Sequence, residues 1–184
     1  EGRRIDHLVH GTDWLPTLGA ASGIKRPGGR ALDGRNILEV LRGAEDELPS
    51  RYWQLNAYQP VSWINAAMRE GPWKLVRPQL ALRPRSDEDR RKMDDYVEMD
   101  IKYKYHPDEV KTLMSDPDPE VVIPPPAELE LYQIDDDPLE QNNLAAAEPE
   151  RAGRMLAAME QWFETVEAER KRIQPDGCIV ELVG

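Results

Sequence analysis

The chain has 184 residues, of which 40% are hydrophobic and 32% charged, and its formal net charge is −11. A protein that binds nucleic acid needs a basic patch to neutralise phosphates, so this charge argues against nucleic acid as a partner. The single cysteine excludes an internal disulfide, and no apolar run approaches the roughly 18–20 residues of a membrane span, so no membrane partner is expected.

The first 43 residues predict a short strand and two helices separated by a loop rich in glycine and proline. Residues 7–10 are typical of the strand. Asp13 is a good N-cap for the first helix, and Pro16 then lies in its first turn, where a missing N–H has no cost. The second helix is expected over residues 36–42. The chain begins with Glu1, not methionine, so we expect it to be a fragment of a longer protein. Residues 1–43 are interpreted as a helical linker region that joins it to the missing preceding portion.

Alternating apolar and polar residues predict a small antiparallel sheet. The predicted strands are residues 52–58, 61–69, 73–77 and 128–134. Gly71 and Pro72 supply the turn of a central hairpin. In its second strand Trp73 and Leu75 point to one side of the sheet, while Lys74 points to the other.

One long helix is predicted after Glu148. Its apolar residues recur at 3.6-residue spacing: Ala152, Met155, Leu156, Met159, Trp162, Phe163 and Val166. Burial of these side chains does not offset the conformational entropy of some 20 residues, so the helix must lie on the sheet. The expected fold is α+β, a small antiparallel sheet of about four strands packed by a long C-terminal helix. Residues 178–183 are a candidate last strand.

Residues 44–184 are interpreted as one subdomain that carries an inserted excursion at 83–126. This excursion is rich in charge and proline and separates two strands expected to pair. A polar surface helix is predicted over 86–99, and a shorter one beginning at Pro107. A long connection of this kind is usually functional or disordered, and a solvated insertion is the simpler interpretation.

A search for catalytic or metal-binding groups yields no assignment. His7 and His10 face opposite sides of a strand, so they do not share a metal. The acidic turn at 135–137 suggests calcium, but it lacks the glycine that an EF-type loop needs, and a solvated turn is the better interpretation. Cys178 has no basic neighbour that lowers its pKa. We assign no catalytic residue and no metal ligand in this chain.

Four short motifs occur in order along the chain. They are D-W-L-P-T-L at 13–18, D-G-R-N-I at 33–37, R-E-G-P-W-K-L at 69–75 and E-L-Y-Q-I-D-D-D-P-L-E-Q-N-N-L-A at 130–145. These resemble the D-x-x-P-T-L, D-G-x-S-L, R-x-G-x-W-K-L and E-L-Y-D-L-x-x-D-P-x-E-x-x-N-L-A segments in the latter half of sulfatases. Taken with the long helix that follows them, they make the chain similar to arylsulfatase-type enzymes of the alkaline-phosphatase-like superfamily.

The resemblance implies that this chain is a fragment of a larger α/β sulfatase. Such enzymes split sulfate esters with a formylglycine, made from the C/S-x-P-x-R motif, beside a calcium ion. Here only Ser115 is followed two places later by proline, and Pro119 stands where arginine is required. Formylglycine and calcium are therefore implied for the preceding catalytic domain, and this chain alone is expected to be inactive. Its expected partners are that domain and, through the whole enzyme, a small-molecule or carbohydrate sulfate ester.

The excursion departs from the family pattern and provides candidate substrate-binding residues. Tyr103, Tyr105 and His106 are interleaved with lysines and are placed where an insertion could reach the mouth of the active site. An isolated fragment is also expected to expose an apolar surface and to self-associate. The alternatives are a non-enzymatic acidic interaction module and part of a phosphate or phosphonate ester hydrolase of the same superfamily.

Overall fold

The computed structural model describes residues 4–24, 31–46, 49–110 and 117–171. Its α-helices are α1 (Trp14–Ser22), α2 (Leu38–Arg42), α3 (Asp87–Tyr105) and α4 (Pro149–Arg170). Its strands are β1 (Arg51–Gln54), β2 (Ala66–Glu70), β3 (Trp73–Arg77), β4 (Arg83–Pro84), β5 (Val121–Val122) and β6 (Glu130–Gln133). None of these helices is both long and apolar enough to cross a membrane. The candidate strand at 178–183 lies outside the described residues.

The main sheet has four antiparallel strands in the order β1-β2-β3-β6, which confirms the predicted α+β class. The hairpin forms as expected, with Gly71 in the left-handed region at φ 54°. Leu75 on β3 lies opposite Met68 on β2 and Leu131 on β6. All three side chains are almost completely buried, so the centre of the sheet is the centre of the core.

Helix α4 covers one face of this sheet. Met155 and Met159 are buried against the central strand residues, and the Tyr52 and Trp162 rings stack 5.1 Å apart. Each large side chain buried here contributes roughly 1.5–3 kcal/mol. Val166 was predicted to share this apolar face but is 45% exposed.

The segment between β1 and β2 is a hydrogen-bonded loop, so the predicted strands 52–58 and 61–69 were both too long. The Asn56 side chain accepts from one backbone N–H of this loop and donates to two of its carbonyl groups. Tyr58 at φ 62° and Asn65 at φ 48° are in the left-handed region, which a strand cannot contain. In this loop, hydrogen bonds from the Asn56 side chain to the backbone take the place of the hydrogen bonds between strands.

Residues 7–10 are irregular, so the predicted strand is wrong. They lead into a short 3-10 helix, Gly11–Asp13. The His10 ring accepts from the Thr12 N–H, and the His10 N–H donates to the Asp13 carboxylate, so the backbone turns at this point. Helix α1 begins just after Asp13, as expected, but the Asp13 side chain makes no capping bond to α1.

The excursion at 83–126 is closed at its base by antiparallel pairing of β4 with β5. Ser86 caps α3 by accepting the Asp89 N–H at 3.1 Å, and the Asp89 carboxylate accepts the Glu120 N–H at 2.8 Å. Helix α3 continues to Tyr105, past its predicted end at residue 99. Residues 87–105 contain neither glycine nor proline, so nothing in this stretch ends the helix earlier.

Candidate functional site

The fully buried Asp13 carboxylate joins the start of α1 to two distant segments. Its Oδ1 accepts hydrogen bonds from the Arg35 N–H at 2.9 Å and from Arg51 Nη2 at 2.8 Å. Its Oδ2 accepts from the His10 N–H at 2.9 Å and from the same Arg51 nitrogen at 2.7 Å. Bonds between charged partners are stronger than neutral ones. The carboxylate therefore ties the start of α1, the loop before α2 and strand β1 into one unit.

The protonation state of Asp13 follows from these contacts. Burial by itself would raise the pKa of the Asp13 carboxyl. The N–H groups of Arg35 and His10 and the Arg51 guanidinium outweigh burial and hold this pKa below its usual range. The carboxylate is ionised at neutral pH and already accepts four hydrogen bonds. It is a structural anion, not a general base.

The loop before α2 lies directly against the start of α1. A Cβ at Gly34 would be 1.9 Å from the Thr12 carbonyl oxygen, so this approach requires glycine. The buried Thr17 hydroxyl donates to the Asp13 carbonyl at 2.6 Å and accepts from the Ile37 N–H at 3.0 Å. The D-W-L-P-T-L and D-G-R-N-I motifs therefore contact each other, and Asp13, Thr17 and Gly34, which make these contacts, all match the family pattern.

The other two motifs also meet. Lys74 Nζ, on the face of the sheet opposite α4, donates to both Glu140 carboxylate oxygens at 2.6 and 2.8 Å. Asn143 Oδ1 accepts from the Leu131 N–H at 3.0 Å, and Asn143 Nδ2 donates to the Leu129 carbonyl at 3.1 Å. These bonds fix the segment after β6 along the hairpin. Glu140, which follows the acidic turn at 135–137, is therefore paired with a lysine.

One hydroxyl–imidazole contact resembles a catalytic pair in its spacing. His10 Nδ1 lies 2.9 Å from Thr12 Oγ1, within the range that joins a nucleophile to its base. The same nitrogen accepts the Thr12 N–H at 3.3 Å and caps the 3-10 helix, and no described residue bonds to His10 Nε2. A catalytic histidine needs a group that orients its second nitrogen. We therefore interpret this contact as a helix cap.

Helix α1 exposes three large apolar side chains, which we call the α1 surface. Trp14, Leu15 and Leu18 are 48%, 64% and 60% exposed, although the helix turns its Thr17 inwards. The sheet face opposite α4 is also partly open, because Trp53 is 39% exposed beside the His10 ring. These exposed apolar side chains lie within one turn of each other on α1, so they form one continuous apolar surface.

The predicted substrate-binding residues Tyr103, Tyr105 and His106 lie at the C-terminal end of α3. All three side chains are more than half exposed, and His106 Nδ1 lies 3.9 Å from a Glu109 carboxylate oxygen. None of them lines the cavity described next. Their role in substrate binding stays a prediction.

A cavity of 310 Å³ beside the middle of α3 was not predicted. Its walls come from three segments that are distant in the sequence, residues 55–65, 79–82 and 93–97. No periodicity or motif joins these segments, so the sequence contained no signal for them. The described residues include no group of three or more His, Cys, Asp or Glu side chains that could hold a metal ion.

Comparison with known proteins gives no family assignment. No protein-family model matches the chain, and no curated protein matches it. The interpretation of its function therefore depends on the motifs and on the contacts that their residues make.

Proposed function

We propose that this chain is the C-terminal part of a sulfatase, in which it braces a preceding catalytic portion that hydrolyses sulfate esters. One observation carries the proposal: the four family-like motifs contact one another in two pairs. Asp13 and Gly34 join the first two motifs, and Lys74 and Glu140 join the other two. Motif residues that depend on each other across long sequence separations are better support than four independent short matches.

The α1 surface supports the bracing role. Its exposed apolar side chains lie on the element that the buried Asp13 ties to the sheet. A catalytic portion packed on α1 would cover these side chains and would be held rigidly relative to the sheet, because Asp13 and Arg51 connect the two. The expected partner of this surface is therefore the catalytic portion of the same polypeptide.

In this proposal the reacting groups and the supporting residues belong to different parts of the polypeptide. In the proposal the formylglycine and the calcium belong to the preceding portion, where they supply the nucleophile and stabilise charge on the transferring sulfate group. The end of α3, with Tyr103, Tyr105 and His106, forms one wall of the substrate cleft. The residues of the four motifs hold the subdomain together and contribute no reacting group.

The test of the proposal is the complete reading frame that contains this chain. It is expected to encode C/S-x-P-x-R before Glu1, and its product is expected to hydrolyse 4-nitrophenyl sulfate in preference to 4-nitrophenyl phosphate. Preference for the phosphate ester would instead favour the phosphate or phosphonate hydrolase. A frame without any nucleophile motif would favour the acidic interaction module.

The wall of the cleft is tested separately in the same whole protein. Replacement of Tyr105 and His106 by alanine is expected to change the ratio of kcat/KM between a small and a large sulfate ester, because the wall contacts only the large one. Arg90→Ala, elsewhere on α3, is the matched control and should leave this ratio unchanged. An unchanged ratio in the double variant would remove the wall role and leave the sulfatase assignment standing.

A further inference from the structure

The 310 Å³ cavity beside α3 has an apolar floor and a polar rim. Val61 and Ile64 are buried at its floor, while the Gln59 and Gln79 side chains stand exposed at its rim. Neither glutamine makes a hydrogen bond to another described residue, so both carboxamides are available to a ligand. Small-molecule sites combine an apolar interior with a few polar groups in this way, and this volume is at the lower end of their range.

The described walls of the cavity carry no Asp, Glu, Lys, Arg or His, although charged residues make up 32% of the chain. Burial, together with nearby Tyr96 and acidic groups, raises the pKa of the Tyr58 hydroxyl, so this phenol is neutral at physiological pH. An anionic ligand would lose hydration here without gaining a counter-charge, and the acidic groups near Tyr58 would repel it. The site therefore favours an uncharged molecule over an anionic one.

The walls are also held in place before any ligand arrives. Asn56 Oδ1 accepts the Val61 N–H at 2.6 Å, and Asn56 Nδ2 donates to the Ile64 carbonyl at 3.1 Å. Two of the three non-glycine residues with positive φ in the described chain, Tyr58 and Asn65, are on this wall. Left-handed backbone at a bulky residue such as Tyr58 is strained and clusters at binding sites.

The aromatic content of the wall indicates the shape of the ligand. The Tyr58 and Tyr96 rings meet edge to face with centroids 5.8 Å apart, and Met93 lines the same cavity. Aromatic edges and thioether sulfur both favour contact with another aromatic ring. We propose that this cavity binds a small, uncharged aromatic molecule that carries a hydroxyl or carbonyl group, with the ring on Val61 and Ile64 and the polar group at Gln59 or Gln79. This goes beyond the proposed function and does not depend on it.

The test is a calorimetric titration of the 184-residue chain with 2-naphthol. A dissociation constant of about 0.1 mM is expected for a ligand of this size. The anion 2-naphthalenesulfonate has a similar ring system and should bind about tenfold more weakly, because the walls supply no cation. Both titrations use the Leu18→Glu variant, so that the apolar α1 surface does not take up the rings. Failure of 2-naphthol to bind this variant by about 1 mM, or equal binding of the sulfonate, would overturn the proposal.

Two matched variants locate the site. Val97 lines the cavity and Ile101, one turn later on α3, does not; they are 55% and 51% exposed, so glutamate at either position leaves the core intact. Val97→Glu is expected to weaken 2-naphthol binding about tenfold, whereas Ile101→Glu leaves it within about twofold of the parent. Equal effects of the two variants, or no effect of Val97→Glu, would place the ligand elsewhere and refute the assignment.

Discussion

Replacement of Asp13 by asparagine tests the joint between α1 and the sheet. Asparagine has nearly the same shape, but an NH2 group takes the place of one oxygen, so two of the four accepted hydrogen bonds are lost. Arg51, which is 7% exposed, would then be buried without its counter-charge. Removing one partner of a buried ion pair costs roughly 3–5 kcal/mol. For a chain of this length that corresponds to a fall in Tm of about 10 °C.

The pH dependence gives this prediction a sign. The pKa of Asp13 is lower in the folded protein than its ordinary value of 3.8. A carboxyl of this kind stabilises the fold fully above the unfolded pKa, and the contribution is lost as pH falls through the folded pKa. The difference in free energy of unfolding between parent and Asp13→Asn should thus be constant near neutral pH and shrink below about pH 4.

The assay is urea unfolding at pH 7, 5 and 3, with tryptophan fluorescence as the probe of the unfolded fraction. Glu39→Gln is the control, since Glu39 pairs with Arg42 at 2.7 Å on an exposed helix surface and should contribute no more than about 0.5–1 kcal/mol. A loss below about 1 kcal/mol for Asp13→Asn at pH 7 would refute the reasoning. So would a difference of the same size at pH 7 and pH 3.

Three further predictions concern packing and the α1 surface. Gly34→Ala should lose at least about 2 kcal/mol because its Cβ meets backbone, whereas Gly153→Ala on α4, with no atom within 4 Å of the new Cβ, should gain about 0.5–1 kcal/mol. Urea unfolding measures both, and equal stabilities would contradict the close approach. Leu75→Ala should cost about 2–5 kcal/mol and the exposed Leu55→Ala less than about 0.5 kcal/mol by the same measurement, with similar losses counting against the core assignment. The chain should self-associate and bind anilinonaphthalenesulfonate, and Leu18→Glu should reduce both in sedimentation and fluorescence experiments; a parent chain that is monomeric and binds no dye would argue against a docking role.

The elements predicted well are those whose evidence is local. The hairpin around Gly71 needs two alternating runs and a turn, and all of these lie within twelve residues. The long helix needs a 3.6-residue repeat with a start signal at Pro149. The strand expected at residues 7–10 failed because short runs carry weak periodicity, and side-chain bonds from His10 and Asp13 to the backbone outcompeted an extended conformation.

The sequence was enough to recognise the four motifs, but it did not show what their residues do in the fold. Asp13 was interpreted as a helix cap, which is the ordinary use of aspartate before a helix. Its real partners, Arg35 and Arg51, are 22 and 38 residues away, and no local rule connects them. The loop that contains Tyr58 was likewise interpreted as a strand, because its apolar and polar residues alternate. In the structure, the hydrogen bonds of the Asn56 side chain to the backbone end β1 before this loop.

The amino-acid sequence by itself determined the α+β class, the central hairpin and the long helix, because side-chain periods of 2 and 3.6 are properties of neighbouring residues. Tertiary structure alone decided which carboxylate lies buried with Arg51, why Gly34 must be glycine, and where an uncharged cavity forms beside α3. Each of these depends on segments brought together by burial of the core. Contacts between distant segments are selected by the packing of the whole chain, so they become visible only when it is folded.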